Sequence, residues 1–169
     1  WYSRDPTMLE TFAQNGDIHR AVAAKMFGKT EAEISKHERY LAKYVDFGVI
    51  YGRQARSLAE GWEMDYLEEK LGGKRWTVSE AEHFLSEFLR GFPKLQAWMK
   101  RQTNIGITER FVESPTGRRR RFPFMNDAMR SSIGRQAVNT PIQGFASDIC
   151  LSSLIRLHNE LPSGASILF

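Results

Sequence analysis

Cysteine is almost missing: Cys150 is the only one in 169 residues. A single thiol excludes a disulfide framework and favours a reducing setting, cytosolic or nucleoid-associated, or its viral or organellar equivalent. No Cys/His cluster has zinc spacing. No apolar run is long enough to span a bilayer, so no membrane partner is expected, and no signal peptide is visible. Internal repeats and low-complexity linkers are also lacking. Strong net charge is absent too. The formal balance is +4, a mild excess that does not by itself name a partner. What is present is a foldable composition. Hydrophobic residues make up 41% of the chain, too many for a disordered polymer, and the length suits one domain or one large subdomain. Trp1 is no natural start, and Ser166-Ile167-Leu168-Phe169 reads as a strand that opens and then stops. A piece of a longer protein is expected.

The small excess of positive charge is unevenly placed. Residues 117–135 carry six arginines (Arg118 to Arg121, Arg130 and Arg135) against one acid, Asp127, while residues 60–69 are acidic. A basic cluster on a balanced chain is the footprint of a polyanion site, and equally of a solvated loop. Local signals divide the chain into helices. Asp17 caps an apolar-periodic run from Ile18 to Phe27, and Gly28 stops it. Thr30 with Glu33 fits a capping box that opens further helix, continuing to about Tyr51 and ending at Gly52. Helices are expected over 57–71 and 78–90, joined by Gly72-Gly73, and from Pro93 to Gln102. Strands from Thr108 to Val112 and from Arg119 to Phe122 flank Ser114-Pro115-Thr116-Gly117, the turn chemistry of a β-hairpin. Residues 126–139 read as helix. Thr140-Pro141 then reads as a fresh N-cap and first turn, opening a long amphipathic helix that Pro162-Ser163-Gly164 closes. The fold class is mainly α with one small β-hairpin.

The stretch Arg39 to Gly52 is the most informative. Arg39, Lys43, Phe47 and Tyr51 recur every four residues. On a helix each such step turns about 40°, so the four share a stripe about 120° wide and ~18 Å long. Leu41, Val45, Gly48, Val49 and Gly52 fall on another face and can pack inward. The stripe reads cation, cation, aromatic, aromatic, the order of features in a nucleoside triphosphate. Arg and Lys suit phosphate oxygens; Phe and Tyr suit sugar and base faces. The same pattern also describes an amphipathic helix with a basic rim.

The spacing RxxxKxxxFGxxYG resembles the nucleotide-binding helix in the fingers of family A (DNA polymerase I-like) DNA polymerases. Ser3, Asp5, Leu9, Phe12 and Gly16-Asp17-Ile18-His19 resemble the segment before that helix. Gly117-Arg118-Arg119-Arg120 is similar to the family's glycine-arginine turn, and Arg135, Asn139, Pro141, Gln143-Gly144 and Asp148 to its RxxxNxPxQGxxxD stretch. The order agrees over nearly the whole chain. The resemblance implies that residues 1–169 form a helical fingers subdomain with palm-adjacent ends. His19, Arg39 and Lys43 would contact the triphosphate, with Arg39 and Lys43 in catalytic roles. Phe47 would pack on sugar and base, and Tyr51 would sit near the templating base. Arg135, Asn139 and Gln143 would contact primer–template DNA, and Arg118 and Arg119 its phosphates.

The implied chemistry is in-line nucleotidyl transfer. A primer 3′-hydroxyl attacks the α-phosphorus of a dNTP, and two Mg2+ ions clamp the attacking and leaving oxygens. In the family those ions are held by two aspartates in motifs that flank this stretch and are not found in it. Asp5, Asp17, Asp127 and Asp148 are not substitutes for them. The implied parent is a monomeric DNA-directed DNA polymerase whose palm and thumb complete the site. The alternatives are single-subunit RNA polymerase fingers, against which Phe47-Gly48 and Gln143-Gly144 stand, and a noncatalytic helical nucleic-acid-binding module. Two features depart from the pattern. Asp46 stands where many relatives carry Asn, within reach of Lys43 one turn away. The segment from Trp62 to Thr77 looks longer than in compact relatives.

Overall fold

The computed structural model describes residues 3–123 and 126–167, and the chain divides into two compact units, 1–101 and 102–169. The expected terminal strand runs into Leu168 and Phe169, outside the described residues. Helices dominate both units, with a two-stranded antiparallel hairpin in the second.

In the first unit, α1 (Pro6–Ala13) begins on Asp5, whose carboxylate accepts from the Thr7 amide at 3.2 Å. Asp5 is fully buried, and its other oxygen accepts from the amide of Lys94 at 3.2 Å. It therefore ties the start of the unit to its end, a structural task far from metal binding. Helix α2 (Ile18–Phe27) opens on Asp17 and closes on Gly28 as the sequence implies. The next helix does not open at Thr30. The Thr30–Glu33 capping box exists, but it governs a single 3-10 turn, Glu31–Glu33. A second capping box, Ser35 with Glu38, starts α3 (Lys36–Ile50). Two boxes five residues apart compete for one start, and the later one faces the longer apolar stripe.

The inner face of α3 buries Leu41, Ala42, Tyr44, Val45, Gly48 and Val49, against α2 residues Val22, Ala23 and Met26. Gly48 sits where a Cβ would lie 2.7 Å from Leu58 Cδ2, so only glycine lets that leucine seat against the helix. Gly52 then takes φ 66°, and the Arg53 amide returns to the Gly48 carbonyl at 2.8 Å, the closed end of a Schellman motif. Both glycines of the stripe motif are thus explained by packing and chain reversal.

The helix expected over 57–71 is two: α4 (Ala55–Ala59) and α5 (Trp62–Leu71), broken at Gly61. A Cβ at Gly61 would fall 2.4 Å from the Tyr44 hydroxyl, which donates to the Leu58 carbonyl at 2.8 Å. Helix α6 (Val78–Gly91) brings Ala81 and Phe88 into the same core. Helix α7 (Pro93–Thr108) runs past Gln102, the end expected from sequence.

In the second unit, Thr108 belongs to α7, so the hairpin is shorter than expected: β1 (Phe111–Glu113) pairs with β2 (Arg119–Arg121), Val112 opposite Arg120. Val112 and Phe122 form a small core with Ile133 and Ala137 of α8 (Asp127–Glu160). That helix is continuous for 34 residues and contains Pro141. Thr140 is therefore not an N-cap. Proline costs a helix interior about 3 kcal/mol. Burial of Ile133, Gly134, Ala137, Val138 and Pro141 along one face works against that cost.

Candidate nucleotide and nucleic-acid sites

Packing of α2 against α3 gathers the first set of candidates. Arg39, Lys43 and Phe47 lie along the face of α3 opposite its buried residues, and Tyr51 caps the helix end. Phe47 and Tyr51 are about half exposed, 46% and 52%, so both rings are open to a ligand. The Lys43 ammonium stands over the Phe47 ring at 5.7 Å from its centroid. From the first turn of α2, the His19 ring also meets Phe47, tilted against it at 5.8 Å between centroids. His19, Lys43 and Phe47 thus form one patch, which a residue 24 positions before Lys43 could join only through tertiary packing.

Two acids lie beside this patch, and neither pairing is visible in local spacing. The Asp17 carboxylate caps α2, accepting from the amides of His19 and Arg20 at 3.1 and 3.3 Å. Its other oxygen takes the Arg39 guanidinium at 2.5 Å. That guanidinium is the main reason the Asp17 carboxyl lies below its ordinary range; burial opposes it, and the capping amides add to it. Asp46 does not pair with Lys43. It turns inward to His19, Oδ2 to Nδ1 3.2 Å, because α2 covers that side of α3. Burial raises the Asp46 carboxyl above its ordinary range, opposed by His19.

The patch is suited to a polyanion. The Arg39–Asp17 pair is over a third exposed, and such pairs contribute about 0–1 kcal/mol. A charge-assisted bond to phosphate contributes about 1.5–3 kcal/mol. A triphosphate can therefore draw Arg39 away from Asp17 or share it.

The second unit holds the other candidates. Arg135, Asn139 and Gln143 follow each other at intervals of four on the unbroken helix α8, so they share one face. Arg135 is exposed and donates to Ser131 Oγ at 2.8 Å. The hairpin arginines are pinned rather than loose. Arg118 pairs with Asp148 of α8, Arg119 with Glu113 across the hairpin, and Arg120 with Gln136. Asp148 also accepts from Thr116, the main cause of its lowered pKa, so this residue of the QGxxxD stretch fastens the hairpin turn to α8. Arg119 lies over the Phe111 ring at 5.0 Å. The Arg118 and Arg119 side chains are more than half exposed, where ion pairs contribute little and phosphate can compete for them.

The aspartates set aside in the sequence each have a partner of their own. Asp5 caps α1 and binds Lys94, Asp17 holds Arg39, Asp148 holds Arg118, and Asp127 lies 3.5 Å from Arg130. Among the described residues no three His, Cys, Asp or Glu side chains gather as a metal would require.

The fold defines the class first: this is a polymerase-type helical fold. It superposes on the POL domain of Pol1 from M. smegmatis, solved in complex with DNA primer-template and dNTP, with TM-score 0.76 and 25% identity, covering 91% of this chain and 26% of that one. The chain belongs to DNA polymerase family A, whose sequence model matches residues 1–167. It is 35% identical over 170 residues to the thermostable DNA polymerase I of Thermus filiformis, covering 98% of this chain and 19% of that protein. It is 34% identical over 165 residues to the DNA polymerase of Bacillus phage SP01, covering 95% of this chain and 17% of the phage protein. The chain thus spans about a fifth of the length of the curated relatives it matches.

Proposed function

We propose that this chain is the nucleotide- and primer-template-binding part of a template-directed DNA polymerase, its residues 1–169 forming a fingers subdomain. The parent transfers deoxynucleotides to a primer 3′-hydroxyl and releases pyrophosphate, working with DNA in the cytoplasm or a viral or organellar equivalent. The carrying observation is the patch in which His19, Lys43 and Phe47 meet, with Arg39 one turn before Lys43 on the same stripe. Lys43 and Arg39 neutralise charge on the triphosphate, most of all on the departing pyrophosphate. Phe47 offers its face to sugar and base, and Tyr51 sits at the helix end where the templating base arrives. Arg135, Asn139 and Gln143 line the primer-template, and Arg118 and Arg119 meet its phosphates. Two magnesium ions stabilise charge on the reacting phosphates in this chemistry. The palm carboxylates that the family resemblance implies would hold them. Family membership and relatives named DNA polymerase favour this reading over an RNA polymerase or a noncatalytic module.

The test is single-nucleotide incorporation by the full-length polymerase that carries this chain. Lys43→Ala or Arg39→Ala should lower incorporation roughly ten- to a hundredfold, the value of one charge-assisted phosphate contact. Primer-template affinity should hold. Unchanged incorporation with Lys43→Ala would remove the phosphate assignment.

A further inference from the structure

We propose that Asp46 is a positioning residue for His19, seating the Nδ1 edge of the imidazole inward so that Nε2 offers a hydrogen to the phosphate chain of a nucleoside triphosphate. The inference deepens the reading of His19 as a triphosphate contact and rests on it.

Three observations carry it. The His19 and Asp46 side chains are only 19% and 14% exposed, and their nearest polar atoms are 3.2 Å apart. Nδ1 is fully buried and lies off the line of a regular hydrogen bond, so the Asp46 carboxylate is its polar neighbour without being a rigid partner. The Phe47 ring flanks the imidazole, placing the pair at the edge of the patch that holds Lys43. Other charged groups nearby are committed. Asp17 binds Arg39, and Arg20 donates to the carbonyls of Glu31 and Ile34, both at 2.8 Å. Burial raises the Asp46 carboxyl, and the imidazole of His19 beside it opposes that effect.

A buried carboxyl beside Nδ1 fixes what the outer nitrogen presents. Three sites, Nε2, Nδ1 and Oδ2, share two protons. With protons on both ring nitrogens the pair is imidazolium and carboxylate. With the inner proton on Oδ2 it is neutral imidazole and carboxylic acid. Nε2 carries its hydrogen in both forms and donates to phosphate. Loss of one proton to solvent leaves Nδ1–H against the carboxylate and turns a lone pair on Nε2 toward the ligand. Phosphate then meets an acceptor. Asn at this position keeps the shape but cannot exchange that proton.

The experiment measures KM for dNTP and kcat in single-nucleotide incorporation from pH 6 to 9.5, using the full-length polymerase. The variants are Asp46→Asn, Asp46→Leu, His19→Gln and the His19→Gln doubles. In the unaltered protein KM should rise at alkaline pH as the pair loses its proton. Asp46→Asn should displace that rise by about one pH unit or abolish it. Asp46→Leu, which cannot orient the ring, should raise KM about tenfold, the loss of one charge-assisted hydrogen bond. Neither substitution should change KM further once His19 is Gln. An unmoved alkaline rise in Asp46→Asn would overturn the proposal, as would an equal effect of Asp46→Leu in both backgrounds. If His19→Gln alone leaves KM unchanged, the phosphate role of His19 fails and this inference with it. If His19→Gln raises KM but Asp46 does not act through it, only the inference fails.

Discussion

The two units of the chain hold their candidate sites in different ways. In the first, eighteen buried apolar side chains among the described residues, from α2 through α6 and the segment after it, make one core, and the stripe on α3 is the outer surface of that core. In the second, four buried side chains join the hairpin to α8, while Ile149, Leu151, Ile155 and Leu157 of the same helix remain about half exposed or more. A site that backs onto its own core is placed by it. A site on a thinly packed hairpin and one long helix has less buried surface behind it.

The contrast can be broken most sharply at one residue in each unit. Phe88 is fully buried, and Phe88→Ala should cost about 3–5 kcal/mol in urea denaturation of the chain. Ile155 is 63% exposed, and Ile155→Ala should stay within about 0.5 kcal/mol. Equal costs would erase the distinction. A much larger cost of Ile155→Ala in the full-length polymerase would sharpen it, showing that other parts cover α8.

A smaller effect lies at the start of α3, where Glu38 sets the capping box that aligns the stripe. The Lys29 ammonium, 2.6 Å away, draws the Glu38 carboxyl down to about 2 from its ordinary 4.5, with the Ser35 amide and hydroxyl adding to it against the opposing effect of burial. A lowered carboxylate stabilises the fold fully above its unfolded value, and the contribution disappears as pH falls through the folded value. The Tm difference between the unaltered chain and Glu38→Gln should therefore be largest above about pH 5 and vanish towards pH 2. Lys29 is 45% exposed, so solvent holds the difference under about 1 kcal/mol. A Tm difference that persists at pH 2 would place the effect in packing.

Local chemistry was legible where caps and turns decide. Asp17 and Gly28 bound α2, Gly52 ends α3, and Ser114 to Gly117 turn the hairpin. Spacing gave Leu41, Val45, Gly48 and Val49 of the inward face of α3 but missed Ala42 and Tyr44, and Gly52 lies beyond the helix. What escaped depends on neighbours distant in sequence. Gly61 breaks a helix because the Tyr44 hydroxyl needs the space, and Pro141 fails to break one because its face is buried. The pairs Asp17–Arg39 and Asp46–His19 span 22 and 27 positions and exist only because α2 lies on α3. Sequence could place Arg39 and Lys43 on one face; it could not reveal that Asp17 takes Arg39 or that Asp46 lies beside His19.

The central claim is that α3 carries the nucleotide and α8 the DNA. It is tested most directly by measuring two dissociation constants in the full-length polymerase, dNTP from the polymerase–DNA complex and primer-template from the polymerase alone, for Lys43→Ala and Arg135→Ala. Lys43→Ala should weaken dNTP binding at least about tenfold with little change for DNA, and Arg135→Ala should weaken DNA binding first. Unchanged dNTP binding in Lys43→Ala, or a loss confined to DNA, would contradict the claim.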